Sequence, residues 1–222
     1  MVLLAARGFA NGLGLDIHIR TKPRYAYSYI EAAAIKIGED VLEVGSWGEY
    51  WVNGVEAVKF PFAMGGKFPV QHKQINDKDH YFRIEISSSE AIIVKTHNDL
   101  VNVEVANTTI ANFATSTGML GNYRDGSLLA RDGATIMDNH DLFGQEWQVS
   151  ASDGNLFLTP SPYRQCVPPH SIEQGRRLGE SAVSQEAAEK ACAHLAGDEF
   201  DVCVFDVITM DDLEMADIHG GY

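Results

Sequence analysis

The chain has 222 residues, 45% hydrophobic and 22% charged, which suits one globular domain, or one with an appendage, and excludes a disordered or fibrous chain. A formal charge of -14 repels nucleic acid and anionic membrane surfaces and favours cations, so no nucleic-acid partner is expected. No apolar run approaches the roughly 20 residues of a membrane-crossing helix, so no membrane span is expected, and MVLLAARGF, with no basic residue before Arg7, does not read as a secretory signal.

Residues 15–106 read as strands: IHI at 17–19, YAYSYI at 25–30, IKI at 35–37, VLEV at 41–44, FRIEI at 82–86, AIIVK at 91–95 and LVNVEV at 100–105. Their apolar and polar residues alternate, which puts one face inward and one outward. Gly38-Glu39-Asp40 separates two of these runs. Asn53-Gly54, between EYWV and VEAV, predicts a type I′ hairpin, because both positions need a positive φ. Short strands at this spacing predict an antiparallel sandwich or barrel.

Beyond residue 149 the texture changes. One last short strand is expected at LFL, 156–158, within a proline-rich connector over 151–183. Ser184 predicts a cap for a helix over 185–196, stopped by Gly197, with Ala188, Cys192 and Leu195 on one face. A second short helix is expected over 211–218. Eight acidic residues and no Lys or Arg follow from Asp198 onward, which reads as a solvated acidic surface. Cys192 and Cys203 straddle a helix end and an expected strand, close enough in sequence to be bridged; a disulfide would pin a small appendage that has little core. Cys166 is then left over. The other reading is three reduced thiols in a cytosolic protein.

The densest polar run is GMLGNYRDGSLLARDGATIMDNHDLFGQEWQV, residues 118–149. It resembles the closing half of a von Willebrand factor type D domain, whose pattern is G-L-C-G-N-[FY]-[DN]-G, a polar loop, and a [DE]-x-F-G-x-x-W-x-V strand. Gly118, Gly121, Asn122, Tyr123, Gly126, Phe143, Gly144, Trp147 and Val149 fit that pattern. Upstream, GLDIHIRTK, YIEAAAIKIGEDVLEV and VNG resemble the middle of the same domain, so the resemblance covers most of residues 1–150. It implies an antiparallel sandwich or barrel-like domain over 1–150; with the connector and the small, helical, cysteine-containing α/β appendage over 184–222 read from the residues above, the expected fold is mainly β. It also implies a non-enzymatic extracellular or cell-surface module for interaction, matrix or adhesion, with a protein or glycan partner. The family's opening G-D-P-H-x-x-T-F-D-G strand is not in this chain, and the family's loop cysteine is Leu120 here. The chain is therefore expected to start inside the domain, which would account for the missing signal and leave a sheet edge open to self-association.

In the family this loop, together with an aspartate on the opening strand that is not in this chain, can hold calcium, a hard cation that takes oxygen ligands. The resemblance implies ligands at Asn122, Asp125 and Asp132, with Arg124 standing where the family places its second ligand. The same residues without a metal would form Asx turns. The loop is not an EF-hand, because the twelfth position from Asn122 is Gly133 and brings no bidentate Glu.

No catalytic residue is assigned. The chain has no G-x-S-x-G, H-E-x-x-H, C-x-x-C or phosphate-cradling G-x-x-x-x-G-K. His140, near Asp138 and Asp141, is the best candidate base but has no nucleophile beside it in sequence. Glu31, Glu43 and Glu85 are candidates for a hydrolase carboxylate pair. A rival lectin-like reading stacks a sugar on Trp47, Tyr50 and Trp51. Asn107-Thr108-Thr109 is a glycosylation sequon, and Arg176-Arg177 a candidate processing site.

Overall fold

The computed structural model of the chain describes residues 1–24, 27–150, 152–160 and 181–219. Cys166, Arg176 and Arg177 lie outside them. The described residues fall into two compact units: 1–21 with 30–150 and 152–160, and 22–24 with 27–29 and 181–219. The protein is mainly β, with 35% of residues in strands and 22% in helices, and no closed barrel is found among the described residues. No described helix is long and apolar enough to cross a membrane.

Two antiparallel sheets make up the β architecture. The first has six strands in chain order: β1 (Val2–Ala6), β2 (Leu15–Arg24), β3 (Tyr27–Ile37), β4 (Asp40–Gly45), β5 (Tyr50–Val52) and β6 (Val55–Glu56). The second has the order β11-β10-β9-β8-β7, from β7 (Phe62–Met64), β8 (Phe68–Gln74), β9 (His80–Glu85), β10 (Ala91–His97) and β11 (Leu100–Ala106). Every neighbour is a neighbour in sequence, as short turns require of antiparallel strands. Asn53 and Gly54 take φ of 50° and 79°, the left-handed values the I′ turn needs.

Alternation decides which side chains enter the core. Leu15, Ile17 and Ile19 of β2, Ala33, Ile35 and Ile37 of β3, Phe82 and Ile84 of β9, and Ile92 and Val94 of β10 share one buried cluster, to which both sheets contribute. Period-2 packing sends the intervening residues to the opposite face. On β3 those are Ala32 and Ala34, small enough to seat Phe157 against the sheet. The expected strand at 156–158 is instead an extended strap with no ladder. It is anchored at Glu43, whose Oε2 accepts from the Leu158 and Thr159 amides at 2.9 and 3.2 Å and whose Oε1 accepts from the Thr159 hydroxyl.

The outer edge of β1 is not open. Ala5 and Thr117 exchange two backbone hydrogen bonds at 2.8 and 2.9 Å, the Met119 and Leu120 amides donate to Val2 and Leu3, and the Val2 amide donates to the Trp147 carbonyl. The loop itself thus covers the edge where exposure had been expected. Beyond the short helical turns α1 (Phe9–Gly12) and α2 (Ile110–Phe113), the strand expected in the F-G-x-x-W segment is helix α3 (His140–Glu146). Asn139 caps it by accepting from the Leu142 amide at 2.9 Å. Phe143 and Trp147, four residues apart, fall on one helical face and pack on Val2.

In the second unit, Ser184 caps α4 (Gln185–Ala191) as expected, accepting from the Ala187 amide, but the helix stops at Cys192 rather than Ala196. Cys203 lies in α5 (Asp198–Met210), where a strand had been expected. Cys203, Val204, Val207 and Ile208 are buried, a spacing that fits a helix. The structure joins Cys192 to Cys203, with Cα atoms 6.0 Å apart. Asp211, at φ 58°, ends α5, and its carboxylate accepts from the Ser181 hydroxyl and the Ala182 and Val183 amides. A 3₁₀ turn (Leu213–Met215) and α6 (Ala216–His219) follow, with His219 3.1 Å from Asp206.

Candidate functional site

The loop residues singled out as ligands are each held in a turn of their own. The Asn122 side-chain oxygen accepts from the Arg124 amide at 2.9 Å. Asp125 accepts from the Ser127 amide and hydroxyl at 3.0 and 2.7 Å. Asp132 accepts from the amides of Ala134 and Thr135 and from the Thr135 hydroxyl. These hydrogen bonds hold both carboxyls below their ordinary range, Asp132 at about 2. The loop is closed by a bridge between Leu129 and Ile136 and by the Trp147 indole N–H, which donates to the Leu129 carbonyl at 3.1 Å.

The other sequence candidates are not gathered into a site. Glu43 anchors the strap, while Glu85 lies on the second sheet and accepts from Gln71 at 2.7 Å. The Tyr50 ring packs among Phe60, His72 and Phe82 and its hydroxyl donates to the Val58 carbonyl, so Trp47, half-exposed, is left without Tyr50 as a platform partner. His140 opens α3 on the surface. Asn107 is exposed in the turn after β11 at φ 51°.

What the fold does assemble is a cleft of about 630 Å³ over the outer face of β1 and β2. Asp16 and His18 alternate with the core residues Leu15, Ile17 and Ile19 and so share that outer face. In the β1–β2 register Ala5 lies opposite Asp16 and Val2 opposite His18. Ala5 bridges in turn to Thr117, so Asp16, Ala5 and Thr117 form a row across three chain segments with the smallest side chain in the middle. Arg7, Thr115 and Ser152 complete the polar lining, and Trp147, Arg131 and Asp153 form a wall.

That wall is rigid. Arg131 donates through Nη1 to Asp153 at 2.6 Å, through Nε to the Glu146 carbonyl at 2.6 Å and through Nη2 to the Gln148 carbonyl at 2.8 Å, and its guanidinium lies 4.9 Å from the Trp147 ring centre. The other oxygen of Asp153 accepts from the Ser150 amide and hydroxyl. Burial opposes ionisation of Asp153, but the bonds from Arg131 and Ser150 outweigh it and bring the carboxyl down to about 2. At Asp16 burial wins over the attraction of Lys36 and Arg7, and its carboxyl is raised.

His18 is 2% exposed, and its Nδ1 has no hydrogen-bond partner. Burial is the main reason its imidazole is lowered from 6.5 to about 4. An unfolded chain therefore takes up a proton below its own value near 6.5 that the folded chain refuses until about pH 4. Stability is full above the upper value and falls as pH drops towards the lower one. His72 and His80, also lowered chiefly by burial, act with the same sign. Between about pH 7 and about pH 5 the His18 share amounts to about 2 kcal/mol. Urea unfolding at the two pH values should show that loss in the parent chain and a shallower dependence in His18→Gln. Equal slopes would mean His18 titrates normally.

Asp16, His18, Arg131 and Asp153 were not singled out from the sequence. In L-D-I-H-I the alternation marks Asp16 and His18 as a surface face, and nothing local reveals that residues 117–150, 152 and 153 fold over it. A larger opening, about 810 Å³, lies by Met1 and the strap, but there Arg20 is already committed to the Thr159 carbonyl at 3.1 Å and to the Phe157 ring. No family model and no curated protein matches this chain.

Proposed function

We propose that the chain is a non-enzymatic extracellular or cell-surface interaction module of the von Willebrand factor type D kind, its loop over 118–138 stabilised by calcium. The observation that carries this reading is the use the fold makes of the motif residues. Gly118 sits at φ 127°, where a Cβ would lie 2.6 Å from the Leu3 carbonyl oxygen, and Gly121 at φ 78°, where it would lie 2.9 Å from that of Gly126. No other residue is tolerated where backbone approaches backbone so closely. Tyr123 stacks on Phe113 and donates to the Thr108 carbonyl, while Phe143 and Trp147 bury against β1. The residues that carry the resemblance are thus the ones that fasten the loop to the sheet. The Cys192–Cys203 disulfide adds support for an oxidising compartment.

Calcium bound through Asn122, Asp125 and Asp132 would replace the hydrogen bonds that each side chain makes in its own turn, with carbonyls and water supplying the rest of the roughly six to eight oxygens it prefers. Thermal melting with calcium and with chelator tests the reading. The melting temperature should rise with the logarithm of free calcium above a dissociation constant of about 10⁻⁴ to 10⁻³ M. Asp125→Ala should remove the dependence, and Arg124→Asp should strengthen it. A melting curve indifferent to chelator in both the parent and Arg124→Asp would leave the loop as a set of Asx turns and sink the calcium part of the proposal.

A further inference from the structure

We propose that the cleft over β1 and β2 binds a neutral polyhydroxylated ligand, a single saccharide unit, whose hydroxyls pair with His18, Asp16 and Thr117 above the floor made by Ala5. The proposal rests on the reading of the chain as a binding module and names the site and ligand class that module would use.

The first argument is the orphaned nitrogen. A buried polar atom left unpaired carries its full desolvation cost, so His18 Nδ1, on a ring that lines the cleft, marks a place where a partner is missing. A hydroxyl serves it in either imidazole tautomer, because a hydroxyl both donates and accepts.

The second argument is electrostatic and works by exclusion. A metal ion lacks a ligand set, since Asp16, His18 and Asp153 do not bring three ligand atoms within 4.8 Å of one another. With Arg131 and Asp153 paired to each other, a free cation meets Arg7, and a free anion meets Asp16 in a chain of net charge -14. An apolar ligand would bury the Asp16 carboxyl and the His18 nitrogen without a partner. A neutral ligand dense in donors and acceptors fits all of them at once: the carboxylate accepts from hydroxyls, the Arg7 guanidinium donates, and the Thr115 and Thr117 hydroxyls do both.

The third argument is shape. Arg131 and Asp153 use their charges on each other and on fixed backbone carbonyls and amides, so the wall is set before a ligand arrives and little ordering cost remains. Ala5 leaves open the space that any longer side chain would fill, and a volume of about 630 Å³ lies in the range of small-molecule sites.

The test is a calorimetric and NMR titration of the folded chain with glucose, galactose, mannose, N-acetylglucosamine and inositol, with glucuronate and zinc as the anionic and metal arms. At least one neutral sugar should bind with shifts confined to residues of the cleft. Ala5→Leu fills the floor while keeping every polar group, and should weaken binding more than tenfold. Thr117→Val, of the same shape but without the hydroxyl, should weaken it about tenfold, the loss of one net hydrogen bond. Circular dichroism of each variant establishes that it is folded. No binding of any neutral sugar, binding of glucuronate or zinc alone, or sugar binding unchanged in both variants overturns the proposal. Calcium melting run on the same samples separates the two readings: a calcium response without sugar binding removes the cleft proposal only. Release of a chemically altered sugar removes the non-enzymatic reading and leaves the site in place.

Discussion

Trp147→Ala is expected to lower the stability of the two-sheet unit by about 3–5 kcal/mol, the range for removing a large buried aromatic side chain. Trp147 is 4% exposed and packs with Phe143 and Val2. Its indole N–H satisfies the Leu129 carbonyl, and its ring lies beneath the Arg131 guanidinium. Truncation leaves a cavity between α3 and β1, an unpaired carbonyl, and an arginine whose stacking partner is gone. Trp147→Phe keeps part of the packing and loses the indole N–H, so it should cost distinctly less. Urea unfolding followed by circular dichroism measures both. The amides of residues 128–137 should lose hydrogen-exchange protection together with those of α3, since the wall is one connected piece. A cost below about 1 kcal/mol for Trp147→Ala would be that of an ordinary surface substitution, and would show that the loop is a surface appendage.

Replacing Cys192 and Cys203 together by alanine should cost the second unit about 3 kcal/mol. The two are 11 residues apart, and closing a loop of that length removes about this much freedom from the unfolded chain. Both sulfurs are buried, so the substitution also loses packing between α4 and α5. Helices as short as α4 are marginal without such support. Under reductant, the helical residues 185–210 should open to hydrogen exchange in the parent chain and show no further change in the double variant. Protection in α4 and α5 that ignores reductant would mean the bridge contributes nothing. In protein recovered from its native compartment, three thiols open to alkylation would argue for a cytosolic setting.

Most of the strands are legible in the chain because a strand's pattern is local. Alternation across FRIEI, AIIVK and LVNVEV is enough to place β9, β10 and β11, and Asn-Gly is enough to place the β5–β6 turn, since both rest on period 2 and on φ alone. Two signals were present and outweighed. Phe143 and Trp147 stand four apart behind an Asn that caps, which is helical spacing, yet the family pattern pointed to a strand. At Cys203 a strand was expected, although Cys203 and Val207, with Val204 and Ile208, mark a helical face.

By itself, then, the amino-acid order determined the mainly β class, the Asn53-Gly54 hairpin and the Ser184 cap, all of which depend on neighbours within about a dozen residues, and it left the pairing of Cys192 with Cys203 as one of two readings. Only the tertiary structure decided where the polar residues belong. Asp16 and His18 are 99 to 137 residues from Thr117, Arg131 and Asp153, and no local pattern tells an outward strand face that meets water from one that another segment covers. The segment over 117–150, with Ser152 and Asp153, decides it: by pairing along the edge of β1 and seating Trp147 on Val2, it turns a solvent face into a cleft, takes water from His18, and splits the two carboxyls into one raised and one lowered. Burial and hydrogen bonding are properties of that enclosure, and they come into being only when the chain has closed on itself.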